Sequence, residues 1–161
     1  MNADSKAFLS GLSSYHSETL QNGEIVEFVH GSLEDHANDY ILFRPEAVRN
    51  LGLMQGKRCF FGHTHSPRLI FQDSYGDVFL SPLLGTTTKA LMPDLKYLIN
   101  PGSVGQPRDR NPLASFAIFD QDKNYLEIFR VDYDVAAAQR DILNSGLDQK
   151  AAASLAKRLV L

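Results

Sequence analysis

The sequence predicts an α+β fold: a single domain over residues 1–161 in which a mainly antiparallel sheet is flanked by helices. Two observations carry this. Short runs rich in β-branched and aromatic residues, separated by turn formers, fill the middle of the chain, and alanine-rich segments with helical spacing close it. No internal repeat, low-complexity tract or linker-like shift in composition divides the two regions, so they belong to one domain.

In order along the chain, Asp4 or Ser5 caps a short helix with apolar Phe8, Leu9 and Leu12 at helical spacing, ending near Ser13 and Ser14. Asn22-Gly23 is a hairpin signal between strands over His16–Gln21 and Glu24–Val29. After a polar loop holding Asp35 and His36, Arg44-Pro45 opens a helix that reaches Leu51, with Gly52 as its C-cap. Lys57–Phe61 is a short strand feeding Gly62-His63-Thr64-His65-Ser66-Pro67. Leu69–Phe71 and Val78–Leu80 form a hairpin across Asp73, Ser74, Gly76 and Asp77. Leu83–Leu95 has no clear period, because Gly85 and Pro93 interrupt it, and Lys96–Ile99 is a strand stopped by Asn100-Pro101-Gly102-Ser103. Ser115–Asp120 and Tyr125–Val131 are strands of a core sheet, and two helices, Val135–Leu143 and Asp148–Leu159, break at Gly146.

Composition narrows the classes of function. Sixteen Lys plus Arg against nineteen Asp plus Glu give a net charge of −3, with no basic run, so nucleic acid held by charge is disfavoured. The single cysteine, Cys59, lies in the apolar run Cys59-Phe60-Phe61 and reads as a buried structural thiol; neither a disulfide framework nor a cysteine metal site is available. No segment has the unbroken apolar length of a membrane span, and a cytoplasmic protein is expected.

The chemistry concentrates in histidine. His63 and His65, one residue apart in a loop after a strand, can face a common point, and Gly62 permits close approach. In a regular strand the same spacing serves packing or faces solvent equally well. A third histidine, His30, ends another predicted strand before Gly31-Ser32, and loops at strand ends can gather three imidazoles, a donor set suited to Mn, Fe, Zn, Co or Ni. Asn100-Pro101-Gly102-Ser103 reads as a turn that supports these loops through Ser103. Arg108 is the nearby cation able to hold a phosphate oxygen by a forked pair of hydrogen bonds, the alternative being a solvated loop arginine. His16 and His36 read as surface or partly packed residues.

Three segments in order, Phe28-Val29-His30-Gly31-Ser32, Phe61-Gly62-His63-Thr64-His65 and Ile99-Asn100-Pro101-Gly102-Ser103-Val104-Gly105-Gln106-Pro107-Arg108, followed by Ser115–Asp120, resemble the calcineurin-like metallophosphoesterase superfamily, in particular its small bacterial and archaeal phosphodiesterase-like branch. The resemblance covers about residues 20–132. It implies part of an αββα sandwich, a phosphoester substrate and two divalent metal ions in a complete site, with His30 and His63 on one ion and His65 on the other.

The same family pattern begins with Asp-x-His, Gly-Asp-x-x-Asp and Gly-Asn-His, and none of these occurs in the 161 residues; 29 residues precede His30. The expectation is therefore a C-terminal portion of a phosphoesterase, with at most a partial metal site and no catalytic residue of its own. Two other readings are a non-catalytic module binding a metal or a partner, and one half of a split enzyme completed by an N-terminal polypeptide. A phosphoesterase fragment would also expose apolar surface and self-associate.

Overall fold

The structure, a computed structural model, describes residues 2–160. Helix α1 (Ala3–Ser10) starts one turn earlier than the sequence suggests: Asn2, not Asp4 or Ser5, is the cap, its side chain accepting from the Ser5 amide at 2.8 Å. The helix stops at Gly11 and buries none of its residues, so Phe8, Leu9 and Leu12 face solvent. It covers no sheet.

Strands β1 (Tyr15–Thr19) and β2 (Ile25–Val29) form the expected hairpin, with Gly23 at φ 81°. Helix α2 (Arg44–Leu53) then crosses over to β3 (Arg58–Phe60), which pairs parallel with β2. Gly52 lies inside α2 and Met54 is its C-cap, because Leu51 and Met54, three residues apart, are both drawn into the core. The hairpin β4 (Arg68–Gln72) and β5 (Val78–Pro82) joins β7 (Lys96–Asn100), itself parallel to β3. The resulting six-stranded sheet has the order β1-β2-β3-β7-β4-β5.

A second sheet was not separable in the sequence. β6 (Thr87–Ala90), hidden in the stretch without a clear period, pairs with β9 (Tyr125–Val131), which pairs with β8 (Ala114–Asp120). β6 is largely exposed and polar, Thr-Thr-Lys-Ala, so it carries no apolar alternation. Five of the seven strand pairings are antiparallel, and the two parallel ones join the central strands β2, β3 and β7. Central parallel strands are apolar on both faces. Accordingly Leu98 and Ile70 pack with Leu51, Met54 and Cys59 under α2, while Leu69, Tyr97 and Ile99 pack with Leu126 and Ile128 between the sheets. The closing helices α3 (Val135–Leu143) and α4 (Gln149–Lys157) pack on each other, joined by a bond from Gln139 Nε2 to the Ala156 carbonyl at 2.9 Å. Among the described residues no helix is long and apolar enough to cross a membrane.

Arg58 fastens the two sheets. Fully buried in β3, its guanidinium donates to the carbonyls of Leu95 at 3.1 Å and Lys57 at 3.2 Å and to Asn124 Oδ1 at 3.0 Å, beside Glu24 at 3.4 Å. It sits over the Tyr97 ring at 5.1 Å and near Phe119 of β8. Burial lowers its pKa and the neighbouring Glu24 raises it again. Arg58→Met removes these donors, leaving the Lys57 carbonyl with the Tyr97 amide alone; it is expected to cost about 3 kcal/mol of stability, read by urea unfolding. A loss under about 0.5 kcal/mol, the range of ordinary surface changes, would contradict this role.

Candidate functional site

The parallel register places the carboxyl ends of β2, β3 and β7 on one edge of the sheet, where ligands collect in such architectures. His30 follows β2, the segment 61–65 follows β3, and Asn100 ends β7. Pairing continues beyond the strands: the Gly62 amide, two residues after β3, donates to the carbonyl of His30, one residue after β2, at 2.9 Å. A Cβ at Gly62 would stand 3.3 Å from both that carbonyl and His30 Nδ1, so a side chain there would push His30 away.

His30 Nε2 and His63 Nδ1 lie 2.9 Å apart with the rings edge to face, and the Tyr40 ring stands 4.0 Å from the His63 ring. His65 is turned to the same cleft. Its Nδ1 lies 2.8 Å from the Gln106 carbonyl. A carbonyl only accepts, so Nδ1 carries the proton and Nε2 keeps a free lone pair, the arrangement by which a backbone oxygen orients a metal-binding imidazole.

This loop is held in an unusual shape. His63 at φ 59° and His65 at φ 54° both adopt the left-handed conformation, which costs non-glycine residues about 1 kcal/mol or more. Asn100 holds the strained loop in place. Completely buried, it donates from Nδ2 to the Gly62 carbonyl at 2.8 Å and to Thr64 Oγ1 at 2.9 Å, and its Oδ1 accepts from the Gly102 amide at 2.8 Å. The supporting role expected of Ser103 thus belongs to Asn100. Ser103 Oγ instead accepts from the amides of Gly105 and Gln106 within its own turn.

Arg108 lies against the same loop, its amide donating to the His65 carbonyl at 3.2 Å and its Nη1 reaching the His63 carbonyl at 3.4 Å. The side chain is exposed. Burial first, then the charges of His30, Arg108 and His65, holds the His63 pKa below the ordinary imidazole value, against a raising hydrogen bond with the Asn38 backbone. Burial also lowers His65, against its bond to Gln106. Both shifts favour the neutral imidazole, the form that binds metals.

The histidines close one end of a cleft of about 840 Å³ between the two sheets, which continues along Leu20, Phe28, Phe60, Val104 and Phe119. The expected gathering of three imidazoles is met in part. His30 and His63 pair, but among the described residues no group of three His, Cys, Asp or Glu side chains is arranged to hold a metal ion. Two nitrogens sharing a tetrahedral ion stand roughly 3.3 Å apart, so the 2.9 Å pair needs only a small opening. The donors present fit one side of an ion; anionic donors are what the cleft lacks, Glu18 being the one carboxylate in its lining. Tyr40, Asn38 and Gln106 were not singled out in the sequence. Two of them act through main-chain groups, which leave no mark on residue type. His16 pairs with Glu18 on the surface, and His36 packs on the Tyr15 ring at 5.1 Å.

No protein-family model matches the chain. Over 142 residues it is 33% identical to the uncharacterized protein MJ0912 of Methanocaldococcus jannaschii, covering 88% of this chain and 55% of that protein. A metallophosphoesterase from Sphaerobacter thermophilus superposes with a TM-score of 0.83 at 31% identity, over 99% of this chain and 61% of the other. The hypothetical protein PH1004 from Pyrococcus horikoshii, 16% identical, shares the fold with a TM-score of 0.62 over 95% of this chain and 53% of its own. The chain thus spans between about half and three fifths of these proteins, and its fold is the metallophosphoesterase fold anticipated from the histidine segments.

Replacing Asn100 by Ala removes three hydrogen bonds, takes from the buried Thr64 hydroxyl its Asn100 donor and leaves the Gly62 carbonyl with the Thr64 amide alone. The expected loss is about 2–3 kcal/mol, measured by chemical denaturation, with the amides of residues 62–65 exchanging faster than those of β4. Unchanged exchange in that loop would contradict the assignment.

Proposed function

We propose that this chain is the histidine-bearing portion of a metal-dependent phosphoester hydrolase, acting on a phosphodiester or phosphomonoester, whose site is completed by acidic residues outside these 161. The observation that carries the reading is the juxtaposition of the His30–His63 pair with the free Nε2 of His65 at the carboxyl ends of parallel strands. The similarity to a metallophosphoesterase at 31% identity supports it. His30 and His63 would hold one divalent ion and His65 a second, with the metal drawn from Mn, Fe, Zn, Co or Ni. Bound there, such ions supply Lewis-acid polarisation of a phosphoryl oxygen.

The chain's own residues do the positioning. Asn100 fixes the backbone of the loop so that metal binding asks only a small opening of the His30–His63 pair, Gln106 sets the His65 tautomer, and Arg108 offers a guanidinium to a phosphoryl oxygen. A complementary polypeptide segment is supported by the cleft itself. Phe28 and Phe60 stack at 5.4 Å on a face of the larger sheet, yet Phe28 is 39% exposed because the three-stranded sheet does not reach over it. Phe116 and Ile118 on β8, an edge strand, are likewise exposed. Apolar surface of this kind marks an interaction site. A module that binds metal or a partner without turnover is the second reading, favoured by the absence of a third close donor among the described residues.

Calorimetry with Zn or Mn separates these. The chain is expected to bind close to one equivalent weakly, with His63→Ala reducing affinity at least about tenfold; unchanged binding in that variant removes His63 as a ligand. Hydrolysis of an aryl phosphodiester with Mn is expected only after a segment supplying the three missing aspartate- and asparagine-containing motifs is added. Metal binding without any gain on addition would leave the non-catalytic reading.

A further inference from the structure

Behind the histidine loop lies a second pocket, of about 490 Å³, lined by Gln106, Pro107, Arg108, Arg110 and Arg158. We propose that Arg108, Arg110 and Arg158 form an anion-binding subsite that takes the phosphoryl group of a small ligand, set beside the metal-site histidines so as to hold a remote, non-reacting phosphate of the substrate. The substrate part of this rests on the hydrolase reading above; the anion binding does not.

The arrangement is built by the loop between β7 and β8. Asp109 turns inward to a buried ion pair with Arg130 of β9, their side chains 14% and 3% exposed. That pair anchors the loop and spends the one acidic side chain in it. The residues on either side, Arg108 and Arg110, are left at the surface, Arg110 with φ at 63°. Arg158, the residue capping the C-terminal end of α4, supplies the third guanidinium from a distant part of the sequence.

Among the described residues no carboxylate lines the pocket and none of the three arginines makes an ion pair. In a chain of net charge −3, three such cations around one concavity repel one another until an anion enters. Guanidinium is the group that pairs with phosphate through forked hydrogen bonds. The volume suits a small molecule, and the overall charge opposes a nucleic-acid strand. The pocket and the histidine cleft share a wall: Gln106 bonds His65 through its carbonyl, and Arg108 lines the pocket while touching the His63 carbonyl.

The test is a titration of inorganic pyrophosphate into the whole chain in chelator, followed by 1H–15N NMR. Saturable shifts centred on residues 106–110 and 158 are expected. Arg110→Ala and Arg158→Ala should each weaken binding about tenfold, Arg158→Lys less, and Lys123→Ala, a surface cation paired with Asp120, not at all. Both arginine side chains are exposed, and circular dichroism verifies folding of each variant. Absence of saturation below about 10 mM, shifts centred on His30, His63 and His65, or equal weakening by Lys123→Ala would overturn the subsite. Tighter binding of an oligothymidylate than of pyrophosphate would overturn its assignment to a small ligand. Loss of metal binding with pyrophosphate binding intact would strike the hydrolase reading alone.

Discussion

The parallel pairing of β2, β3 and β7 is the constraint on which the site depends. An antiparallel arrangement of the same strands would send His30 and the Gly62–His65 loop to opposite edges of the sheet. The crossover through α2 makes the parallel register possible, and burial on both faces makes it stable. One face of the central strands packs under α2 and the other against the second sheet. With the register set at Phe28, Phe60 and Ile99, the next residues of each strand emerge side by side, and the bond from Gly62 to the His30 carbonyl follows directly.

Two kinds of interaction then convert proximity into a shaped site. The left-handed backbone at His63 and His65 turns both rings to the cleft, at a cost the loop could not bear alone. Asn100 offsets it with three bonds made where water does not compete. The longer loop before β8 braces the histidine segment from the other side, through Gln106 and Arg108, and is itself held by Asp109 and Arg130. Strain, support and exposure of apolar surface thus meet in one cleft, which is the pattern expected of a functional site.

Much of this was legible in the sequence, and the reasons are specific. The Asn22-Gly23 hairpin, the β4–β5 hairpin and the strands β8 and β9 announce themselves by turn chemistry and apolar content. Asn100 in a Pro-Gly turn and the His-x-His pair gave the site its outline. What was hidden follows from tertiary context. β6 is a polar, largely exposed edge strand, and strand direction has no local signature, so the parallel centre could not be read. Glu27 and Arg58, charged residues inside apolar strands, are completely buried: the Glu27 carboxylate accepts from the amides of Gln55 and Gly56, and Arg58 joins the sheets. Residue type alone places such charges in solvent. The convergence of Arg158 on Arg108 and Arg110 likewise depends on where α4 ends, about fifty residues after the loop.

In the proposed site His30 and His63 would be two ligands of one metal ion. The most direct measurement is anomalous diffraction from crystals of the chain grown with Mn or Zn, collected on either side of the absorption edge. An anomalous peak is expected between His30 Nε2 and His63 Nδ1, with the two nitrogens moved apart from their 2.9 Å contact. A map with that hydrogen bond intact and the metal bound elsewhere would contradict it.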